Sequence, residues 1–528
     1  MLALTVVACG GGNERPDGED ALTRVMTTHG PVRGTAGPSM VQFKGIPYAA
    51  PPIGALRWRA PQAPVAWTQE RQAQEFGPAC AQPASAFGTP SPTTNEDCLT
   101  LNVFRPRAPG PHPVMVWIHG GAFYLGSSTA YPDVSSLVGQ NVVVVTLNYR
   151  LGALGFMAHP ALSAEQGGHS GNYGLMDQQF ALRWVRDNIA AFGGDPGNVT
   201  LFGESAGGFS VLSHLAAPES AGLFHKAIVM SGAYGLDVQD SLSQSESKGQ
   251  ALATAAMSIV SGSGGTTCDT GSVECLRSLP VTALLGAQMT AYPRGPVPSI
   301  DGRVLDASVR HKIWAGTQHP MPVLQGSTRD EYRLFAALSE LGGAAPLTPE
   351  TLPAAITGLG LPAPIASILA SGTYHPALFA DNASFAFGAL GTDLVFACNG
   401  LNVARRLSGH GQSVYAYEFR DRTAPEVLPA VSFPQGAAHS AELQYLFDMP
   451  RPLNAEQTAL KHAIVRYFSR FARTGQPDVV GLPSWPAFAS DTPIYLGLDV
   501  AGGEGIATRL NFATEHHCDT VWSSLNDD

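Results

Sequence analysis

Short, largely apolar runs separated by helical patterns set the rhythm of this chain. Val114 to Ile118, Val142 to Leu147, Val199 to Phe202, Ala227 to Met230, Val414 to Phe419 and Ile494 to Leu496 lack the alternation of half-exposed strands. They read instead as strands buried on both faces. Between them, Leu175 to Ala191 and Ala455 to Arg473 repeat apolar positions at the helical period, and Ala206 to Ala217 also reads as a helix. Strands alternating with helices predict an α/β fold with a large, mostly parallel central sheet and helices on both faces. The stretches 236–298 and 334–394 are rich in Ala, Gly, Pro and Leu without clear strands, and are expected to be cap segments. There is no internal repeat and no long linker, so 22–528 is expected to form a single domain.

Gly203-Glu204-Ser205-Ala206-Gly207 falls at the junction between the Val199–Phe202 run and the helix that follows. G-x-S-x-G in that context is the nucleophile elbow of α/β-hydrolases. The serine takes a strained backbone so that its hydroxyl projects above the sheet, and flanking side chains would collide with neighbouring elements. The helix behind it aims N–H groups and a positive dipole end at the reacting oxygen. A serine hydroxyl is a poor nucleophile at neutral pH, so a base, an orienting acid and an oxyanion hole are also required.

Val114 to Ile118 runs straight into His119-Gly120-Gly121-Ala122-Phe123. Paired glycines after a core strand let the backbone turn N–H groups towards a ligand. This fits the H-G-G-x oxyanion loop, whose donors join the N–H of the residue after the nucleophile, Ala206. Gly45 to Ala49, Glu96 to Val103, Leu147 to Arg150 and Phe192 to Pro196 complete a set of segments that resembles the type-B carboxylesterases. That family includes bacterial para-nitrobenzyl esterases, mammalian carboxylesterases, fungal lipases and cholinesterases. The likeness is dense from about Gly34 to Ala233 and recurs in shorter blocks towards the C-terminus.

The resemblance implies an α/β-hydrolase fold and supplies the remaining catalytic groups. Gly326 to Glu331 is similar to the family's acid-bearing segment, which maps the acid onto Glu331. On chemistry alone Asp330 serves equally, since either carboxylate can fix an imidazole tautomer. Gly436 to Leu443 resembles the histidine loop and makes His439 the base, while His119 belongs to the oxyanion loop. The chain order Ser205, Glu331, His439 is the α/β-hydrolase order. The implied reaction is acyl transfer: His439 takes the Ser205 proton during attack on an ester carbonyl, and the N–H groups of Gly121, Ala122 and Ala206, with Gly120 contributing, hold the oxyanion. The alcohol leaves, and water releases the acid from the acyl-enzyme. Glu204 is expected to act at one remove, tuning the field or holding a water.

The net charge of −11, with 31 basic residues, argues against a nucleic-acid partner. No cofactor or metal is implied; Glu515 to Asp519 lacks a partner cluster with ligand spacing. Among the cysteines, the resemblance pairs Cys80 with Cys98 and Cys268 with Cys275, leaving Cys398 and Cys518 as a third pair. Sequence alone does not prove that connectivity. Cys9 is left over. Leu2 to Gly12 resembles the end of a bacterial lipoprotein signal, followed by a flexible tether to about Ala21, although no charged region precedes it. Export to the periplasm, cell surface or medium, with lipid attachment at Cys9, is the expectation. No other segment reads as long and apolar enough to span a membrane.

The expected substrate is a short- to medium-chain or aryl carboxylic ester. Cholinesterases hold a quaternary ammonium with a tryptophan from the first disulfide loop, where this chain has only Phe87 as an aromatic. Phe123 and Tyr124 suggest an apolar pocket beside the hole. A lipase, or an amidase or carbamate hydrolase using the same triad, is the alternative. A non-catalytic binding module fits poorly with the intact Ser205, Glu331 and His439.

Overall fold

The computed structural model describes residues 18–85, 91–235, 238–293 and 295–526. Cys9 and Phe87 lie outside the described residues. An 11-stranded sheet runs through the molecule. Its strands in chain order are β1 (Thr35–Ala36), β2 (Met40–Pro47), β3 (Thr100–Pro106), β4 (His112–Ile118), β5 (Val143–Leu147), β6 (Gly194–Glu204), β7 (Lys226–Met230), β8 (Val323–Thr328), β9 (Val414–Phe419), β10 (Tyr495–Leu498) and β11 (Ala507–Arg509). Their spatial order is β11-β10-β9-β8-β7-β6-β4-β5-β3-β2-β1. From β5 to β10 all neighbouring pairs are parallel, and antiparallel pairs close both edges. A three-stranded sheet of Arg24–Thr27, Gly30–Arg33 and Arg71–Gln72 accompanies it.

The apolar runs form this sheet because successive side chains enter two different cores. Val114, Val116 and Ile118 pack with Val145, Leu201 and Val229 on one face, against helices α1 (Tyr173–Asn188) and α2 (Ala206–Ala216) through Leu182, Val185, Val211 and Leu215. Met115 and Trp117 point the other way, joining Phe202, Ile228, Leu324 and Tyr417 beneath the long C-terminal helix Ala455–Thr474, which contributes Leu460, Ile464, Phe468 and Phe471. Both faces are dry, so no polar alternation survives in the sequence.

Two stretches without strand signals, 236–298 and 334–394, hold helices: Leu242–Gly262, Val273–Ser278 and Val281–Ala291 in the first, Leu352–Thr357, Ala363–Ser371 and Ala383–Gly391 in the second. One finding corrects the membrane expectation. The helical run Ala383–Gly409 is long and apolar enough to cross a bilayer, with a mean hydropathy of 1.2. However, 78% of its apolar window is buried inside the protein, so its apolarity serves the core.

Covalent and ionic ties fix the loops around the sheet. Disulfides join Cys80 to Cys98, Cys268 to Cys275 and Cys398 to Cys518, as expected. Arg150, just past β5, makes a fully desolvated two-pronged pair with Asp177 on α1, at 2.8 Å and 2.7 Å. The last segment is held by His516, whose ring nitrogens meet Asp393 at 2.6 Å and Glu418 at 2.7 Å.

Candidate active site

Three strands deliver the site, all from their carboxyl ends, where open parallel sheets place ligands. β6 ends at Glu204 and α2 begins at Ala206, leaving Ser205 as the hinge at φ 56°, ψ −124°. A non-glycine residue there is strained by about 1–3 kcal/mol, and the neighbouring packing enforces it. The Ser205 N–H donates to the Met230 carbonyl of β7 at 2.9 Å. A Cβ on Gly207 would stand 2.0 Å from the Ile118 carbonyl oxygen, so only glycine lets α2 press against the end of β4.

β4 ends at Ile118, and the chain turns through Gly121, Ala122 and Phe123 with φ of 107°, 50° and 61°. Among the described residues, no acceptor meets the N–H groups of Gly120, Gly121, Ala122 or Ala206. Gly121 and Ala122 are only half-buried, so the donors they carry are open to a ligand. His119 supports the loop from below. Its Nδ1 donates to the Gly120 carbonyl at 2.8 Å, its ring stacks on Tyr149 at 4.5 Å, and Tyr149 Oη donates to the His119 carbonyl. Burial pushes the imidazole down to about 4, which keeps His119 neutral.

β8 ends at Thr328, and the following turn carries Glu331, which is fully buried. One Glu331 oxygen accepts the Thr328 N–H at 2.7 Å; the other accepts His439 Nδ1–H at 2.5 Å. Of the two adjacent carboxylates, Glu331 is the one that meets the imidazole. Asp330 instead faces Arg422 and Arg333 and accepts the Ala437 N–H.

The other imidazole nitrogen of His439, Nε2, lies 3.0 Å from Glu204 Oε1 without a hydrogen bond to it. Among the described residues Ser205 Oγ likewise has no hydrogen-bond partner. The expected three-membered chain is therefore closed at its carboxylate end and open at the hydroxyl. Such contacts commonly tighten only when substrate is bound.

Sequence reasoning missed Ser440, Glu442, Phe335 and Phe396 around His439, while Glu204 stands nearer to it than expected. Glu204 also accepts Ser440 Oγ–H at 2.7 Å, which brings the elbow directly onto the histidine turn. Phe335 and Phe396 place their rings 5.2 Å and 5.0 Å from the imidazole. Glu442 is buried with neither carboxylate oxygen hydrogen-bonded. The S-A-E spacing after His439 was a visible signal for Glu442; no local pattern marks the two phenylalanines.

The electrostatics follow from this crowding. Burial disfavours a charged His439, but Glu204 and Glu331 overcome it and raise the imidazole to about 9. Burial, and then Glu331, raises Glu204. Burial followed by Glu204 and Glu331 drives Glu442 well above the usual carboxyl range. Protons in this cluster are thus shared between carboxyl groups and one imidazole.

An elbow serine, a loop of unpaired N–H groups and a carboxylate-held imidazole define a serine hydrolase of the α/β-hydrolase fold. A profile of the carboxylesterase family matches residues 21–514. The para-nitrobenzyl esterase of Bacillus subtilis (strain 168) is 38% identical over 499 residues, covering 90% of this chain and 94% of that protein. The fumonisin B1 esterase of Sphingopyxis macrogoltabida is 33% identical over 510 residues, covering 93% and 89%. The solved structure of a thermophilic PNB esterase superposes with a TM-score of 0.78 at 33% identity, covering 94% of this chain and 99% of that one. The chain belongs to the carboxylesterase family and is a carboxylic ester hydrolase.

Proposed function

We propose that Ser205 is the nucleophile, His439 the base and Glu331 the orienting acid of this esterase. The observation that carries the assignment is His439 itself, gripped at Nδ1 by Glu331 and lying at Nε2 against the residue that precedes Ser205. His439 removes the hydroxyl proton as Ser205 Oγ attacks the ester carbonyl. The N–H groups of Gly121, Ala122 and Ala206, with Gly120 beside them, receive the oxyanion. The protonated imidazole returns its proton to the leaving alcohol, and then activates the water that cleaves the acyl-enzyme. Glu331 holds the imidazole tautomer and stabilises the imidazolium.

Short- to medium-chain or aryl esters are the proposed substrates. Phe123 beside the oxyanion turn, and Phe335 and Phe396 over the imidazole, support an apolar wall. The relatives' names, para-nitrobenzyl esterase and fumonisin B1 esterase, point to varied carboxylic esters for those proteins. The helices within 236–298 and 334–394 are proposed to cap the site as part of one catalytic domain.

Export is proposed on the disulfides, which persist in oxidising compartments. Lipid attachment at Cys9 follows from the sequence around it, and mass spectrometry of protein made in a bacterial host tests it: an acylated N-terminal Cys9 is expected, and an intact Met1 counts against it. The triad is tested by fluorophosphonate labelling and peptide mapping. Adduct on Ser205, absent in Ser205→Ala and greatly reduced in His439→Ala, is the expected result; adduct elsewhere overturns the assignment. Parallel assays with p-nitrophenyl butyrate and the matching anilide separate an esterase from an amidase.

A further inference from the structure

Asp330 precedes the acid but does not touch the imidazole. It is buried, yet it is held by partners from three parts of the chain. Arg422, just past β9, grips both carboxylate oxygens, Nε to Oδ2 at 2.9 Å and Nη2 to Oδ1 at 2.8 Å. Arg333, at the start of the helix Arg333–Leu341, approaches Oδ1 at 2.6 Å. The Ala437 N–H donates to Oδ2 at 3.1 Å, while the Asp330 N–H donates to the Ala437 carbonyl at 2.9 Å. This reciprocal pair lies two residues before His439, whose own N–H donates to the Glu331 carbonyl at 3.3 Å.

The acid turn and the histidine turn are therefore laced together at successive residues. Gly436 belongs to the same junction: at φ +63°, a Cβ there would stand 2.5 Å from Asp330 Oδ2 and 2.6 Å from Arg333 Nη1. Arg333 also donates to the Pro434 carbonyl and lies over the Phe385 ring at 4.1 Å, which carries the junction towards the helix Ala383–Gly391. A carboxylate bonded to two guanidiniums and a backbone N–H has little freedom to move, and neither does the loop it holds.

We infer that Asp330 is a positioning residue: with Arg422 and Arg333 it sets the register of the 434–439 loop, so that His439 meets Glu331 and faces Ser205. The inference rests on the triad proposed above. Misplacement by about 1 Å at a reacting group can lower turnover by about two orders of magnitude. The burial of Asp330 makes its ionisation depend on these partners; the surrounding guanidiniums, Arg333 and Arg422 foremost, outweigh desolvation and hold it below the ordinary carboxylate range. The charged groups around the imidazole are Glu331 from the acid turn, Glu204 from the elbow and Glu442 from its own turn, with the Tyr417 hydroxyl of β9 near these carboxylates.

Steady-state kinetics on p-nitrophenyl butyrate, with wild type, Asp330→Asn and Arg422→Gln compared across pH, test the inference. Asp330→Asn should lower kcat about 10- to 100-fold while KM stays within about twofold. The acid limb of kcat/KM should move to lower pH, because a lost anion and a slackened Glu331 contact both disfavour the imidazolium. Arg422 is 53% exposed in its side chain, so Arg422→Gln leaves the core intact. It should give a smaller kcat loss, again without a KM change, and it carries the test alone if Asp330→Asn does not fold. The downfield proton resonance of His439 Nδ1–H should broaden in each folded variant, whereas simple destabilisation would reduce its intensity at constant width. Wild-type kcat, pH profile and resonance in the folded variants would overturn the positioning role. Failure of the triad itself is distinguishable, since wild-type protein would then escape fluorophosphonate labelling at Ser205.

Discussion

Glu204→Gln keeps the size and shape of a side chain that touches His439, the proposed base, while deleting its charge. Glu204 Oε1 stands 3.0 Å from His439 Nε2 and accepts a hydrogen bond from Ser440. An opposite charge this close raises an imidazole by about 1–3 units. Glu204 is itself raised by burial and by Glu331, and so carries its full charge over only part of the range. The lower figure, about 1 unit or about 1.4 kcal/mol, is therefore appropriate. The sign is set by which form of His439 works. In the proposed mechanism the neutral imidazole takes the Ser205 proton, and losing the nearby anion lets the ring become neutral at lower pH. The acid limb of kcat/KM, which reports the free enzyme, should shift down by about 1 unit. The transition state contains an imidazolium that has lost the same stabilisation, so the plateau should fall by up to about tenfold. With His439 raised to about 9, variant and wild type should coincide at neutral pH and below, and separate as pH rises through about 8 to 9. Hydrolysis of p-nitrophenyl butyrate between about pH 6 and about pH 10, a window that brackets the raised imidazole, measures both quantities. An acid limb that stays in place or rises would refute the electrostatic role of Glu204.

Further outcomes follow from the fold. Asp177→Ala strands Arg150 in a site where both side chains are almost fully buried, at 4% and 0% exposure, and should destabilise by about 3–5 kcal/mol in urea titration. Gly207→Ala forces a methyl group to 2.0 Å from a backbone carbonyl that cannot swing aside. Its penalty should exceed the about 1–3 kcal/mol usual for overpacking, with loss of active sites titratable by fluorophosphonate. For His516, burial is outweighed by Asp393 and Glu418, which raise it to about 9. The raised value means that this ion pair stabilises fully below the unfolded value of about 6.5 and fades as pH climbs through about 9. Urea midpoints measured across that window should fall in wild type and flatten in His516→Gln.

Much of the scaffold was legible because its strands are buried twice over. Val414 to Phe419 was recovered to the residue despite its Glu418, since every side chain along it is buried. β6 begins at Gly194, ahead of the apolar run at Val199, although Asp195-Pro196-Gly197-Asn198 carries turn residues. Gly194 pairs with His112 and Val199 with Val114, so the turn residues lie in the irregularity between them, where Asp195 Oδ1 accepts the Gly197 N–H at 2.9 Å. Local turn chemistry is kept inside a strand that pairs on either side of it. The helices in 236–298 were hidden by small and polar residues that dilute the helical period. A usable signal was present all the same: Ser241 and Gln244 form a capping box at the start of Leu242–Gly262.

The site divides along the same line. The elbow and the glycine loop were readable because backbone collisions leave a mark in sequence: Gly207 and Gly121 occupy positions a Cβ would obstruct or strain. Identity between two adjacent acids leaves no such mark. Asp330 and Glu331 have the same charge and nearly the same reach, and what separates them is His439, 108 residues later than Glu331. The turn after β8 points one carboxylate at the imidazole and the other at two arginines, so successive side chains serve chemistry and loop register respectively. Swapping them should therefore fail on both counts: in Asp330→Glu/Glu331→Asp each carboxylate is a methylene out of place, and turnover should fall further than either single change explains, because both act on one imidazole. A double-mutant cycle in kcat measures that coupling, and strict additivity would mean that Asp330 and Glu331 work independently.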